Sequence, residues 1–106
     1  MSGPLGDMGN LLAQAQKMQR AIGEAKAALE NERVIGTAGG GAVTVEFNGS
    51  GQMLKIEVSK EAYGAGIQDM QELIMMAFKD GQAKVERLRE QRMGDVTGGL
   101  NLPGLL

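Results

Sequence analysis

The chain reads as an α+β fold: an α-β-β-β-α subunit with a three-stranded antiparallel meander flanked by two long helices. Three observations predict it. An apolar seam with heptad spacing runs from Met8 to Leu29. A period-two alternation replaces it between Val43 and Val58. A second helical stripe follows from Ile67 to Leu88.

Met8, Leu11, Ala15, Met18, Ile22, Ala25 and Leu29 alternate steps of three and four, the seam of a helix packed against another helix. Asp7 precedes them as an N-cap candidate, because its carboxylate accepts from the unpaired N–H groups of a first turn. Residues 8–32 would span roughly 37 Å at ~1.5 Å per residue. Gln14, Lys17, Arg20 and Glu24 lie on the opposite face. Arg33 to Ala38 is a first strand, joined through Gly39-Gly40-Gly41 to a second in which Val43, Val45 and Phe47 alternate with Thr44, Glu46 and Asn48. Asn48-Gly49-Ser50-Gly51 is a hairpin turn, since Asn and Gly tolerate positive φ. Leu54, Ile56 and Val58 then alternate with Lys55 and Glu57 in a third strand. The last helix opens near Ile67 and turns Met70, Ile74, Ala77, Gly81, Val85 and Leu88 inward. Gly94 is its expected stop. The expected organisation is a flexible N-terminus over 1–7, a single domain over 8–93, and a Gly/Leu-rich tail over 94–106 that is mobile or docked through its leucines.

Leu73-Ile74-Met75-Met76-Ala77-Phe78 is apolar on every side of its helix. Such a segment must be covered on every side. One small sheet and one other helix do not suffice, so a homodimer is expected. Leu73, Met75, Met76 and Phe78 are its contact residues. Met18 and Met70, on the stripes, are assigned to the core.

Composition narrows function more than it assigns it. The 106 residues contain no His and no Cys, so thiolate chemistry, disulfides and the usual zinc sites lack raw material. Ser2, Ser50 and Ser59 have no His as base, and Glu57 and Glu61 have no spacing that makes them a dyad. Gly39-Gly40-Gly41 is followed by a strand, whereas phosphate-binding loops open a helix. No enzymatic activity, cofactor, metal or small-molecule substrate is expected. The longest apolar run, six residues, is far short of the ~20 needed to span a bilayer, and the N-terminus has no signal-peptide pattern. A cytoplasmic protein with no membrane partner is expected.

Net charge is −2 and the isoelectric point about 5.1, which argues against a generic polyanion binder. Nucleic-acid binding would have to rest on local charge. Residues 84–92 supply it: Lys84, Arg87, Arg89 and Arg92 against Glu86 and Glu90, a local +2. Arg92 stands where the apolar stripe should continue, so the helix tip is solvated. It is either an ordinary charged helix end, with cations favoured by the helix dipole, or a surface for anions. Lys17 and Arg20 are equally open, and Arg20 with Glu24 is a possible i,i+4 surface pair.

The segment G-T-A-G-G-G-A-V-T-V-E-F-N-G-S-G, Gly36 to Gly51, resembles the core motif of the YbaB/EbfC family of bacterial nucleoid-associated proteins. L-L-A-Q-A-Q-K-M-Q in the first helix, A-F-K-D at Ala77 to Asp80, and a G-G-L-x-L-P-G tail extend the resemblance over roughly residues 8–104. It implies a homodimer of α-β-β-β-α subunits with paired long helices projecting like tweezers. It further implies binding of double-stranded DNA with weak sequence preference, and a place in the nucleoid with a link to gene expression. The family's contacts fall on its first and last helices. Matched by position and charge, these are Lys17, Arg20, Lys84, Arg87, Arg89 and Arg92. The rival expectation is a non-catalytic dimeric adaptor that binds a protein partner through its long helices or Leu-rich tail.

Overall fold

A computed structural model describes residues 4–100, with side chains from 7 to 98. The element order is α1 (Pro4–Leu29), β1 (Arg33–Ala38), β2 (Val43–Asn48), β3 (Met53–Val58), α2 (Lys60–Gly64) and α3 (Ile67–Leu100). The α-β-β-β-α order expected from the sequence is present, with one short helix added.

The sheet is a meander in the order β1-β2-β3, antiparallel throughout. β1 pairs β2 from Arg33↔Asn48 to Ala38↔Val43. β2 pairs β3 from Val43↔Val58 to Phe47↔Met53, with a register shift at Glu46/Phe47. Residues directly opposite share a face. Val43, Val45 and Phe47, with Gly36 and Ala38, therefore form the inner face, and all five are buried. α3 crosses that face, contributing Ala77, Gly81 and Val85. The Phe47 and Phe78 rings pack with centroids 5.3 Å apart and planes tilted by 57°.

Two glycines set how closely α3 approaches. A Cβ on Gly36 would overlap the Ala77 carbonyl oxygen and the Gly81 backbone. A Cβ on Gly81 would overlap the Phe47 ring. The β1–β2 turn needs positive φ at Gly39, Gly40 and Gly41 (64°, 65° and 96°), which explains that run without any ligand. In the β2–β3 turn the buried Asn48 is the organiser. Its Oδ1 accepts from the N–H groups of Ser50 and Gln52, both at 3.0 Å, and its Nδ2 donates to Gln52 Oε1 at 2.8 Å.

Several boundaries differ from the sequence-based expectation. α1 begins at Pro4, so Asp7 sits within the first turn and does not cap it. Proline is well placed there, since its missing N–H belongs to the unpaired set. The short α2 is capped by Ser59, whose Oγ accepts from the Ala62 N–H at 3.1 Å. α3 does not stop at Gly94 but runs through it to Leu100. A glycine inside a helix costs ~1 kcal/mol but does not by itself end one. The remaining tail, 101–106, and residues 1–3 lie outside the described residues.

The two apolar seams are covered unevenly. On α1, Leu29 is buried and Met18, Ile22 and Ala25 are half-buried, but Met8, Leu11 and Ala15 are exposed. On α3, Met70, Ile74 and Leu88 are half-buried, while Ile67 is exposed. On β3, Leu54, Ile56 and Val58 remain exposed, because α3 packs on β1 and β2. α1 and α3 pack together beyond the sheet as an arm. The radius of gyration, 20.8 Å, far exceeds the ~13 Å of a compact domain this long.

Candidate nucleic-acid interface

The expected cations divide into exposed side chains without ion pairs and side chains committed to the fold. Lys17 and Arg20 are exposed on α1, beside Ala21 and Glu24 around a shallow depression. Ala21 belongs to the half-buried stripe of Met18, Ile22 and Ala25, so Lys17 and Arg20 flank that stripe on its solvent side. Arg87 and Arg89 are exposed on α3. Two residues apart on a helix is about 200° of rotation, so they face nearly opposite ways. Arg89 borders a hollow with Gln82, Glu86 and the turn residues Ser50 and Gly51. Arg87 lies on the same side as Asp80 and lends its charge to holding that carboxylate ionised.

Lys84 and Arg92 have internal partners. Lys84 Nζ donates to the Ile35 carbonyl at 2.9 Å and pairs with Asp80 at 3.0 Å. Asp80 also accepts the Thr37 N–H, the largest cause of its depressed pKa, followed by the bond from Lys84. Arg92 grips Glu32 with two bonds, Nε to Oε2 at 3.1 Å and Nη2 to Oε1. That hydrogen bonding, ahead of the charge attraction, lowers the Glu32 pKa and raises that of Arg92. This pair joins α3 to the turn after α1, at the base of the arm.

Five further cations carry no signal in the sequence; of these, Lys60 is exposed at the start of α2 and Lys55 pairs with Glu57 at 2.6 Å. Lys26 and Lys79 are exposed on α1 and α3. Arg33 is exposed, and its Nη1 donates to the carbonyls of Glu30 and Glu32, both at 3.1 Å. No local cluster marks any of them. Among the described residues no group of three or more His, Cys, Asp or Glu side chains is arranged to hold a metal ion. No described helix is long and apolar enough to cross a membrane.

A sequence model for the YbaB/EbfC DNA-binding family matches residues 5–100, from the start of α1 to the end of α3. The chain belongs to this family. A nucleoid-associated protein of Alkaliphilus metalliredigens is 39% identical over 100 residues, covering 93% of this chain and 88% of that protein. One from Mycobacterium tuberculosis is 38% identical over 101 residues, covering 94% and 76%. An uncharacterized Helicobacter pylori protein of known crystal structure shares the fold, with a TM-score of 0.74 at 24% identity over 92% of this chain and 100% of that one. For this YbaB/EbfC chain, the sequence-level resemblance and the α-β-β-β-α architecture therefore agree.

Proposed function

We propose that this YbaB/EbfC protein is a homodimer that binds double-stranded DNA with weak sequence preference in the bacterial nucleoid, with consequences for nucleoid organisation and gene expression. The observation that carries the reading is the set of exposed cations on the two arm helices: Lys17 and Arg20 on α1, Arg87 and Arg89 on α3. They have no ion pair among the described residues, so a phosphate need not displace a carboxylate to reach them. Lys84 and Arg92 have internal partners, and in this reading they position the arm. Phosphate neutralisation places a protein on DNA without reading its bases. A subunit charge of −2 keeps that attraction local and the binding modest.

The dimer half of the proposal rests on apolar surface. Met75 and Met76 are 57% and 58% exposed in the single chain. Leu73 and Phe78 flank them, half-buried, and the β3 side chains Leu54, Ile56 and Val58 stay uncovered. A second copy covering this surface removes it from water.

Binding to a duplex, measured over a salt series, tests the function. Log K should fall against log salt by about 0.9 per phosphate contact. Replacing Lys17, Arg20, Arg87 and Arg89 together with Ala should weaken binding and flatten that slope, with the fold intact by circular dichroism. An unchanged slope would remove these residues from the site. No binding by the wild type even at low salt would point to an adaptor instead.

A further inference from the structure

The outer edge of β1 is occupied by side chains in a pattern that belongs to a strand. Backbone groups of alternate residues along a strand point to the same in-plane side. Thr37 directs its N–H away from β2, so Ile35 and Arg33 present their backbone groups to that edge too. The Thr37 N–H donates to Asp80 Oδ2 at 2.9 Å. The Ile35 carbonyl accepts from Lys84 Nζ at 2.9 Å. Asp80 and Lys84 stand one turn apart on α3 and pair with each other at 3.0 Å. One acceptor facing the N–H of a residue and one donor facing the carbonyl two residues earlier is what a single residue of an added parallel strand would supply.

We propose that Asp80 and Lys84 guard the edge of β1, imitating a neighbouring strand and so preventing a second copy of this chain from pairing there. Exposed edges are templates for unwanted pairing, and charged side chains are a recognised way to blunt them. The two edges of this sheet differ. Among the described residues no side chain donates to or accepts from the β3 backbone. Were both edges open, β3 of one copy could pair with β1 of the next. That contact is head-to-tail and has no reason to close, so it grows. With β1 occupied, the pairing left is β3 with β3 about a two-fold axis, which closes at two copies. This last step rests on the homodimer reading; the guard itself does not.

The test is the Asp80→Ala/Lys84→Ala double variant in sedimentation velocity across a concentration series. The expected result is assembly that grows with concentration past the wild-type plateau. Adding Thr37→Pro should abolish the growth, because proline removes the outward N–H without touching the β1–β2 ladder. A folded double variant that sediments like the wild type would overturn the proposal. Amide exchange in the wild type gives a second reading that does not require the variant to fold. The Thr37 N–H should exchange at least about tenfold more slowly than the Ile35 N–H on the same edge. Equal rates would show that the guard is not formed in solution, and would overturn the proposal. A wild type that is only ever monomeric would remove the homodimer reading, while growth of the double variant would still support the guard.

Discussion

At the residue scale, glycine has opposite meanings at two positions of the same helix. Gly81 lets the Phe47 ring sit close against α3, where a Cβ would overlap it. A Cβ on Gly94 would meet nothing beyond its own turn of helix among the described residues. Alanine improves helix propensity at both by up to about 1 kcal/mol. At Gly81 overpacking costs about 1–3 kcal/mol and outweighs that gain. Urea denaturation should therefore show Gly81→Ala destabilised and Gly94→Ala stabilised. Shrinking the ring in Gly81→Ala/Phe47→Leu should recover part of the loss, because the two sites share one contact. The glycines themselves are plain in the sequence. Which of them is needed for a close approach is not, because the requirement comes from a ring 34 positions away, between Phe47 and Gly81.

At the element scale, the arm depends on α1 meeting the distal part of α3. Met18, Ala21, Ile22, Ala25, Leu88, Met93, Val96 and Thr97 are half-buried there. Val96→Asp places a carboxylate in this contact and should release α1. Amide exchange over α1 should quicken, while β2, buried in the main core, keeps its protection. The Glu32–Arg92 pair braces the same junction and gives it a pH dependence. The Glu32 pKa is lowered in the fold, so its contribution is present above the ordinary carboxylate range. That contribution is lost as pH falls through the folded value. Thermal melts should show Glu32→Gln less stable than the wild type at neutral pH, with the gap closing on acidification below pH ~4. α3 outruns the stop expected at Gly94 because the helix signal there is weak in the sequence. Contact with α1, not propensity, carries the helix onward.

At the scale of the whole molecule, the proposed homodimer would cover the apolar surface that the single chain leaves exposed. Met75→Glu sets a carboxylate on the flank of α3, at a side chain that is 57% exposed in the single chain and so has little packing to lose. In a dimer the same change buries an unpaired charge, which costs several kcal/mol unless it is neutralised. Sedimentation equilibrium should move toward monomer for Met75→Glu, with helix content unchanged. The exposed arm cations Lys17 and Arg20 are at least 67 residues from Arg87 and Arg89 in sequence (Arg20 to Arg87), and the arm brings the two helices alongside each other.

The order of elements, the strand register faces and the family were all legible in the residues. Periodicities of 3.6 and 2, and the Gly36–Gly51 motif, are properties of neighbouring positions, and neighbouring positions are what a sequence displays. The division of the cations was not legible. Lys84 and Arg92 look like Arg87 and Arg89 along the chain, since all four sit within nine residues, 84–92. Only the tertiary structure places Ile35 and Asp80 around Lys84, and Glu32 opposite Arg92. The same limit hid the bare flank of β3, whose apolar alternation matches that of β2. A strand's pattern states which face is apolar, but whether anything lies against that face is decided by how far α3 reaches across the sheet.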